Sequence, residues 1–230
     1  MSEPPSPQRT IRSFVRRAGR ITPAQQRALE VLWPQYGLDA GKHLLDFQQV
    51  YGRLAPVILE IGFGNGEQIL ARASRQPEYN FLGVEVHEPG VGQLLLAAER
   101  AKLTNLKLIR QDAVEVLQDQ IPYASLEEVQ ILFPDPWPKT RHHKRRLIQA
   151  AFLDLLAPRL RLGGLVHLAT DWEPYAEQMR EVFGACPAFS DCSADSVQTV
   201  PLPERLATRF ERRGTRLGHR VQDLLFRRVR

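Results

Sequence analysis

The sequence predicts an α/β fold: a mostly parallel, seven-stranded sheet with helices on both faces and an antiparallel final strand. Three features predict it. From residue 57 onward, short apolar runs alternate with segments of helical pattern. A turn with glycines at 62, 64 and 66 directly follows the first apolar run. Acids stand at the ends of successive runs, at Glu60, Glu85 and Asp112, with Asp135 just past the fourth. Parallel strands need crossover helices, and those helices bury both sheet faces, so the strands read as short apolar runs.

Taken in order, residues 1–10 carry Pro4, Pro5 and Pro7 and read as a disordered lead. Thr22-Pro23 reads as an N-cap with proline at the first helical position, opening a helix over Ala24–Trp33 that stops before Pro34. A second short helix is expected within residues 42–52. Strands are then expected at Val57–Ile61, Phe81–Val86, Leu106–Ile109, Val129–Phe133 and Leu165–Ala169. Helices are expected at Glu67–Ser74, Val91–Lys102, Ala113–Gln118, Arg146–Leu156 and Tyr175–Phe183. The last part reads as a closing pair of strands, one of them Arg220–Arg228.

A chain of 230 residues suits one α/β domain with modest extensions. The expected division is a flexible basic arm over residues 1–20 and one domain over residues 21–230. No apolar run reaches the roughly 18 residues of a membrane helix, and the N-terminus has no apolar signal-type stretch. Its Arg-rich, acid-poor composition also suits a transit peptide, a reading less favoured than a basic arm. Cys186 and Cys192 have no metal-type spacing, and two thiols in a chain this long point to a reducing compartment, here the cytoplasm. No metal is expected. The chain is expected to act as a monomer or a homodimer.

Net charge is +5, but it is segregated. Residues 9–20 hold five arginines and no acid; residues 139–146 hold Lys139, Arg141, Lys144, Arg145 and Arg146 and no acid; residues 205–230 hold nine arginines against Glu211 and Asp223. The rest of the chain is therefore acidic. Clustered cations on an acidic body point to a polyanionic partner, because Lys and Arg displace counterions from a phosphate backbone.

The turn after the first strand is where a nucleotide-like ligand sits in a doubly wound sheet, and its glycines let the backbone approach that ligand. A dinucleotide fingerprint would need its third glycine at 67, where Glu67 stands. An acid at a helix start also opposes a pyrophosphate. S-adenosylmethionine has no phosphate and carries a sulfonium and an amino group, which the carboxylate of Glu60 suits. Glu85 can accept from both ribose hydroxyls, and Asp112 can accept from the adenine amino group or cap the next helix; a solvated strand-end acid is the plainer reading of Glu85.

Phe133-Pro134-Asp135-Pro136-Trp137-Pro138-Lys139 follows the fourth strand. Three prolines make it a stiff loop where ligands of this fold meet. Methyl transfer from a sulfonium is an in-line displacement, so alignment does much of the work. A ring nitrogen with a free lone pair, such as guanine N7, needs no base, and a nearby carboxylate stabilises the cationic product. Asp135 can do this, or it can accept from the guanine N1 and N2 donors. Trp137 offers a stacking face for a splayed base, and Lys139 with Arg141–Arg146 can hold adjacent phosphates.

The sequence resembles the bacterial tRNA (guanine-N7-)-methyltransferase family over about residues 11–230. The resemblance rests on Arg12-Ser13-Phe14-Val15-Arg16-Arg17, Glu60–Gly66, Gly83-Val84-Glu85, Phe133–Lys139, Arg141-His142-His143-Lys144-Arg145-Arg146-Leu147, Thr170-Asp171 and Thr208-Arg209-Phe210-Glu211. It implies a Rossmann-like class I methyltransferase fold and methyl transfer from S-adenosylmethionine to N7 of the guanine at tRNA position 46, in the variable loop. By the same resemblance Glu60, Gly62, Gly64, Glu85, Asp112 and Asp135 bind the cofactor, and Asp135 is the catalytic acid. Lys139, Asp171, Thr208, Arg209, Phe210 and Glu211 match its substrate-binding positions, and Arg141, His142, His143, Lys144, Arg145 and Arg146 its RNA-contacting segment. Family members often carry Lys where Arg209 stands. Two other readings stay open on the residues alone: a base methyltransferase acting on an exocyclic amine, and a non-catalytic RNA-binding subunit. A nicotinamide dehydrogenase is disfavoured by the misplaced third glycine.

Overall fold

The computed structural model describes residues 13–14, 19–193 and 220–230. It contains one eight-stranded sheet in the order β1-β4-β3-β2-β5-β6-β8-β7. The strands are β1 (Gly37–Leu38), β2 (Val57–Ile61), β3 (Asn80–Val84), β4 (Leu106–Ile109), β5 (Leu126–Leu132), β6 (Leu160–Thr170), β7 (Phe189–Asp191) and β8 (Gln222–Arg228). All pairings from β1 to β6 are parallel, and β8 runs antiparallel to both β6 and β7. The seven expected strands are present. The eighth is β1, whose two residues pair with Leu108 and Ile109 of β4 at the sheet edge. A strand of two residues has no period to read.

Among the described residues eight α-helices cover the sheet: α1 (Pro23–Val31), α2 (Trp33–Tyr36), α3 (Phe47–Tyr51), α4 (Glu67–Arg75), α5 (Glu88–Arg100), α6 (Ala113–Asp119), α7 (Ala150–Leu156) and α8 (Glu173–Gly184). Thr22 caps α1 through a capping box: its hydroxyl accepts from Gln25 N at 3.2 Å, and Thr22 N donates to Gln25 Oε1 at 2.9 Å. Pro34 does not end helical structure but sits in the first turn of α2, where a missing N–H costs nothing. The helix expected over Arg146–Leu156 begins later, at Ala150. Residues Thr140–Arg145 form a 3₁₀ turn instead. The Gln149 side chain donates to the carbonyls of Lys144 and Arg146, which holds them out of an α-helical ladder.

Every residue of β2 is buried, and its side chains alternate between two cores. Val57, Leu59 and Ile61 pack in the layer of α6, α7 and α8. Ile58 packs in the layer of α1, α4 and α5. Glu60 shares the face of Ile58, so its carboxyl is directed under α4.

The chain order reverses between β2 and β5. Strands β3 and β4 lie to one side of β2, and β5 and β6 to the other. The loops leaving β2 and β5 therefore diverge, and a crevice opens between them at the carboxyl end of the sheet. The β2–α4 loop turns through positive φ at Gly62 (73°), Gly64 (57°) and Gly66 (77°). Helix α5 presses on it so closely that a Cβ added to Gly90 would lie 2.1 Å from the Gly64 carbonyl oxygen. Gly90→Ala must push that loop away. It should lower stability by about 1–3 kcal/mol, the range for forced overpacking, and thermal unfolding will show this as a drop in Tm. An unchanged Tm would mean the loop is not pinned by α5.

Candidate active site

Five loops at the carboxyl edge bring the sequence-predicted residues together: Gly62–Gly66 after β2, Glu85 after β3, Asp112 after β4, Phe133–Lys139 after β5 and Asp171 after β6. Thr208, Arg209, Phe210 and Glu211 lie outside the described residues, as do Arg9, Arg12, Arg16 and Arg17.

Glu60 is 4% exposed, and its Oε2 is buried with no hydrogen-bond partner. Below it, Arg72 of α4 makes a two-pronged pair with Glu128 of β5, at 2.7 and 2.9 Å. Desolvation pushes the Glu60 carboxyl up to about 8; Arg72 opposes this, while Glu128 and Glu85 add to it. One guanidinium thus stands among two buried carboxyls, and it is hydrogen-bonded to only one of them. With Glu60 neutral the Arg72–Glu128 pair is balanced, and ionising Glu60 would call for one further positive charge and a donor.

Glu85 stitches the site. Its Oε2 accepts from Gly64 N at 2.9 Å, and its Oε1 from Val86 N at 2.7 Å and His87 N at 3.0 Å. A carboxylate has about four acceptor positions, so three are filled by backbone. A ribose would use the remaining one or displace an amide, which narrows the expectation that Glu85 takes both hydroxyls. Asp112 caps α6, accepting from Val114 N at 3.0 Å.

The reaction loop is stiff and strained. Phe133 and Trp137 have φ of 52° and 45°, the left-handed region that non-glycine residues avoid. Phe133 N donates to the Ala169 carbonyl at 2.8 Å, which extends the β5–β6 pairing to the loop's first residue. Asp135 is exposed at the crevice. Trp137 donates from Nε1 to the Ser13 carbonyl at 3.1 Å, and the Arg145 guanidinium lies 4.2 Å from its ring centroid. One ring face is thus occupied by a cation, not left clear for a base.

Within the basic run, Lys139, Arg141 and Lys144 are exposed, whereas Arg146 is 3% exposed. Partial desolvation, then Arg141, Lys139, Arg145 and Lys144, push His142 below its ordinary value, so it adds no charge near neutral pH. Beside β6, Asp171, Trp172, Pro174, Arg180, Arg220 and Asp223 line an open cavity of about 870 Å³.

The glycine turn, the electron-rich floor and the absence of a phosphate-seeking helix start fit S-adenosylmethionine. Cβ atoms built on Gly62 and Gly64 meet nothing within 4 Å, so the loop's outer face is clear. The orphaned oxygen of Glu60 suits a cationic ligand, and Glu67 in the first turn of α4 disfavours a phosphate.

A family model described as "Putative methyltransferase" matches residues 54–224. The tRNA (guanine-N(7)-)-methyltransferase of Halorhodospira halophila is 54% identical, covering 99% of this chain and 97% of that protein. Its namesake from Stutzerimonas stutzeri is 53% identical, covering 97% and 94%. The chain belongs to the tRNA (guanine-N(7)-)-methyltransferase family. Among solved structures, the 16S rRNA methyltransferase KamB has a TM-score of 0.55 at 19% identity, over 82% of this chain and 95% of that one. A 16S rRNA (adenine(1408)-N(1))-methyltransferase from Catenulisporales acidiphilia, solved with its cosubstrate SAM, has a TM-score of 0.52 at 17% identity, over 83% and 96%. These share the Rossmann-like methyltransferase fold.

Sequence reasoning missed the Arg72–Glu128 pair, the inward turn of Arg146 and the row Gln130–His167–Asp223. His167 lies 3.2 Å from Gln130 through Nδ1 and 2.8 Å from Asp223 through Nε2. A signal existed for the first. Arg72 falls on the buried face of α4 with Gln68, Ile69 and Ala73, where a cation needs a partner.

Glu60 also sets a pH dependence. Its ordinary value is 4.5 and its folded value about 8. Below pH 4.5 the group is neutral in both states. As pH rises toward 8 the unfolded chain loses the proton first, so folded stability is progressively lost, and the loss levels off above the folded value. Glu60→Gln removes this penalty. Its Tm advantage over the unmodified chain should grow from pH 5 to pH 8.5. An advantage that stays constant over that range would show that Glu60 is already ionised in the free protein.

Proposed function

We propose that this chain transfers a methyl group from S-adenosylmethionine to N7 of guanine in tRNA, at position 46 in the variable loop. The observation that carries this is family membership at 52–54% identity over nearly the whole chain, joined to a glycine loop and an acid loop that flank one crevice. When bound, S-adenosylmethionine supplies an electrophilic methyl group on a sulfonium.

The chain's own residues then divide the work. Glu60, Gly62, Gly64, Glu85 and Asp112 hold the cofactor, with Glu60 offering its buried oxygen to a cation. Asp135, on a loop braced at both ends, sits where it can contact both cofactor and base. It stabilises the positive charge that N7 gains on alkylation, or orients guanine by accepting from N1 and N2. No proton leaves N7, so no base is required. Lys139 and Asp171 bind the substrate nucleotide together with Thr208–Glu211, and Arg141 and Lys144 meet the phosphate backbone.

Residues 21–230 are proposed as the catalytic domain and residues 1–20 as a basic arm. The Ser13 carbonyl that receives Trp137 Nε1 supports an arm that reaches the reaction loop. Among the described residues no helix is long and apolar enough to cross a membrane. We place the chain in the cytoplasm, where tRNA is, as a monomer or homodimer without a metal.

Incubation with tRNA lacking N7 methylation, followed by nucleoside analysis, should yield 7-methylguanosine. Methylated adenine, or no methyl transfer, would overturn the reading. Asp135→Ala should cut turnover by roughly 100-fold or more, the scale of losing one transition-state contact, with tRNA affinity nearly unchanged; near-normal turnover would remove Asp135 from the chemistry. Arg141 and Lys144 both changed to Ala should weaken tRNA binding and flatten its log–log salt slope by about 1.4–1.8. An unchanged slope would make the run's exposed cations irrelevant to RNA.

A further inference from the structure

Arg146 closes the basic run in sequence, yet its guanidinium is buried and committed to protein. Nε donates to the Pro136 carbonyl at 2.8 Å, one residue beyond Asp135. Nη1 donates to Oε1 of Gln178, on α8. The guanidinium carbon lies 4.8 Å from the ring centroid of Tyr175, one turn earlier on the same helix.

The two α8 residues complete the clamp. Gln178 Nε2 donates to the Ile148 carbonyl at 3.2 Å, and the Tyr175 hydroxyl accepts from Ile148 N at 3.2 Å. The segment 146–148 is therefore fastened to α8 by Gln178 and Tyr175, and Arg146 carries that fastening on to the reaction loop. Among the described residues no carboxylate pairs with Arg146, and its Nη2 is buried without a partner. Burying an unpaired charge is costly. A cation meant for phosphates would lie outward, as Arg141 and Lys144 do. Only guanidinium can reach the carbonyl, the amide and the ring at once, because its fork is planar and rigid.

We propose that Arg146 is a positioning residue of the methyl-transfer reaction: it locks the Pro134–Pro138 loop onto α8 and so fixes Asp135 at the crevice, and it does not bind RNA. The inference rests on the function proposed above, and the same assay separates the two. If the unmodified chain makes no 7-methylguanosine, the function fails. If it does, Arg146 is tested by its variants.

Arg146→Lys keeps the charge but cannot span the three contacts. The rate at saturating tRNA and S-adenosylmethionine should fall roughly tenfold or more, as expected when a reacting group shifts by a fraction of an ångström. The tRNA dissociation constant and its salt slope should stay as in the unmodified chain. Gln178→Leu removes the hydrogen-bonded anchor on α8 while leaving Arg146 and Tyr175 in place, and should give the same split; it decides the matter alone if Arg146→Lys does not fold. A saturating rate that falls less than tenfold overturns the proposal, whatever happens to Tm. So does a changed salt slope, which would return Arg146 to the RNA surface.

Discussion

Between β2 and β5 the chain order of the parallel strands reverses, and the two loops that leave these strands pass to opposite faces. The β2 loop leads to α4, whose Ile69 and Ala73 pack on one face; the β5 loop leads toward α7, whose Phe152 and Leu153 pack on the other. A crevice between them is forced by connectivity alone. Glu60, the glycine loop and Asp135 stand at its rim, Glu85 and Asp171 one strand away, and Asp112 two strands away. The parallel pairing of Glu60 with Gln130 across that boundary sets the height of the glycine loop relative to the acid loop.

Electrostatics then selects what the crevice can hold. Two carboxyls, Glu60 and Glu128, are buried under the glycine loop with Arg72 as their shared counter-charge. Such an arrangement stores an energetic penalty in the free protein, which a cationic ligand relieves. A phosphate would deepen it. The same loop geometry that serves dinucleotides elsewhere is thus turned toward a sulfonium and an ammonium by the charges beneath it. Across the crevice, Asp135 is exposed, but its loop is anything but loose: it is tied to β6 through Phe133, to Ser13 through Trp137 and to α8 through Arg146.

Much of this was legible in the residues. The strand bounds at Val57–Ile61 and Leu106–Ile109 match the structure, because apolar runs end sharply at glycine or charged residues. The Thr22-Pro23 start and the glycine loop follow from local backbone chemistry. What was not legible depends on contacts far apart in the chain. Arg145 and Arg146 are identical neighbours by composition, yet one lies over Trp137 and the other is sealed against Tyr175. No period separates them, because a 3₁₀ turn followed by an extended residue has none. The partial occupation of Glu85 by loop amides likewise appears only once β3 is laid beside β2.

On this view Glu60 is held neutral in the free protein and releases its proton to solvent when a cationic cofactor binds. Calorimetric titration with S-adenosylmethionine at pH 7.5, in buffers of different ionisation enthalpy, tests it most directly. The apparent enthalpy should depend on the buffer, with net proton release that disappears in Glu60→Gln. Binding with no buffer dependence, or the same proton release from Glu60→Gln, would contradict it.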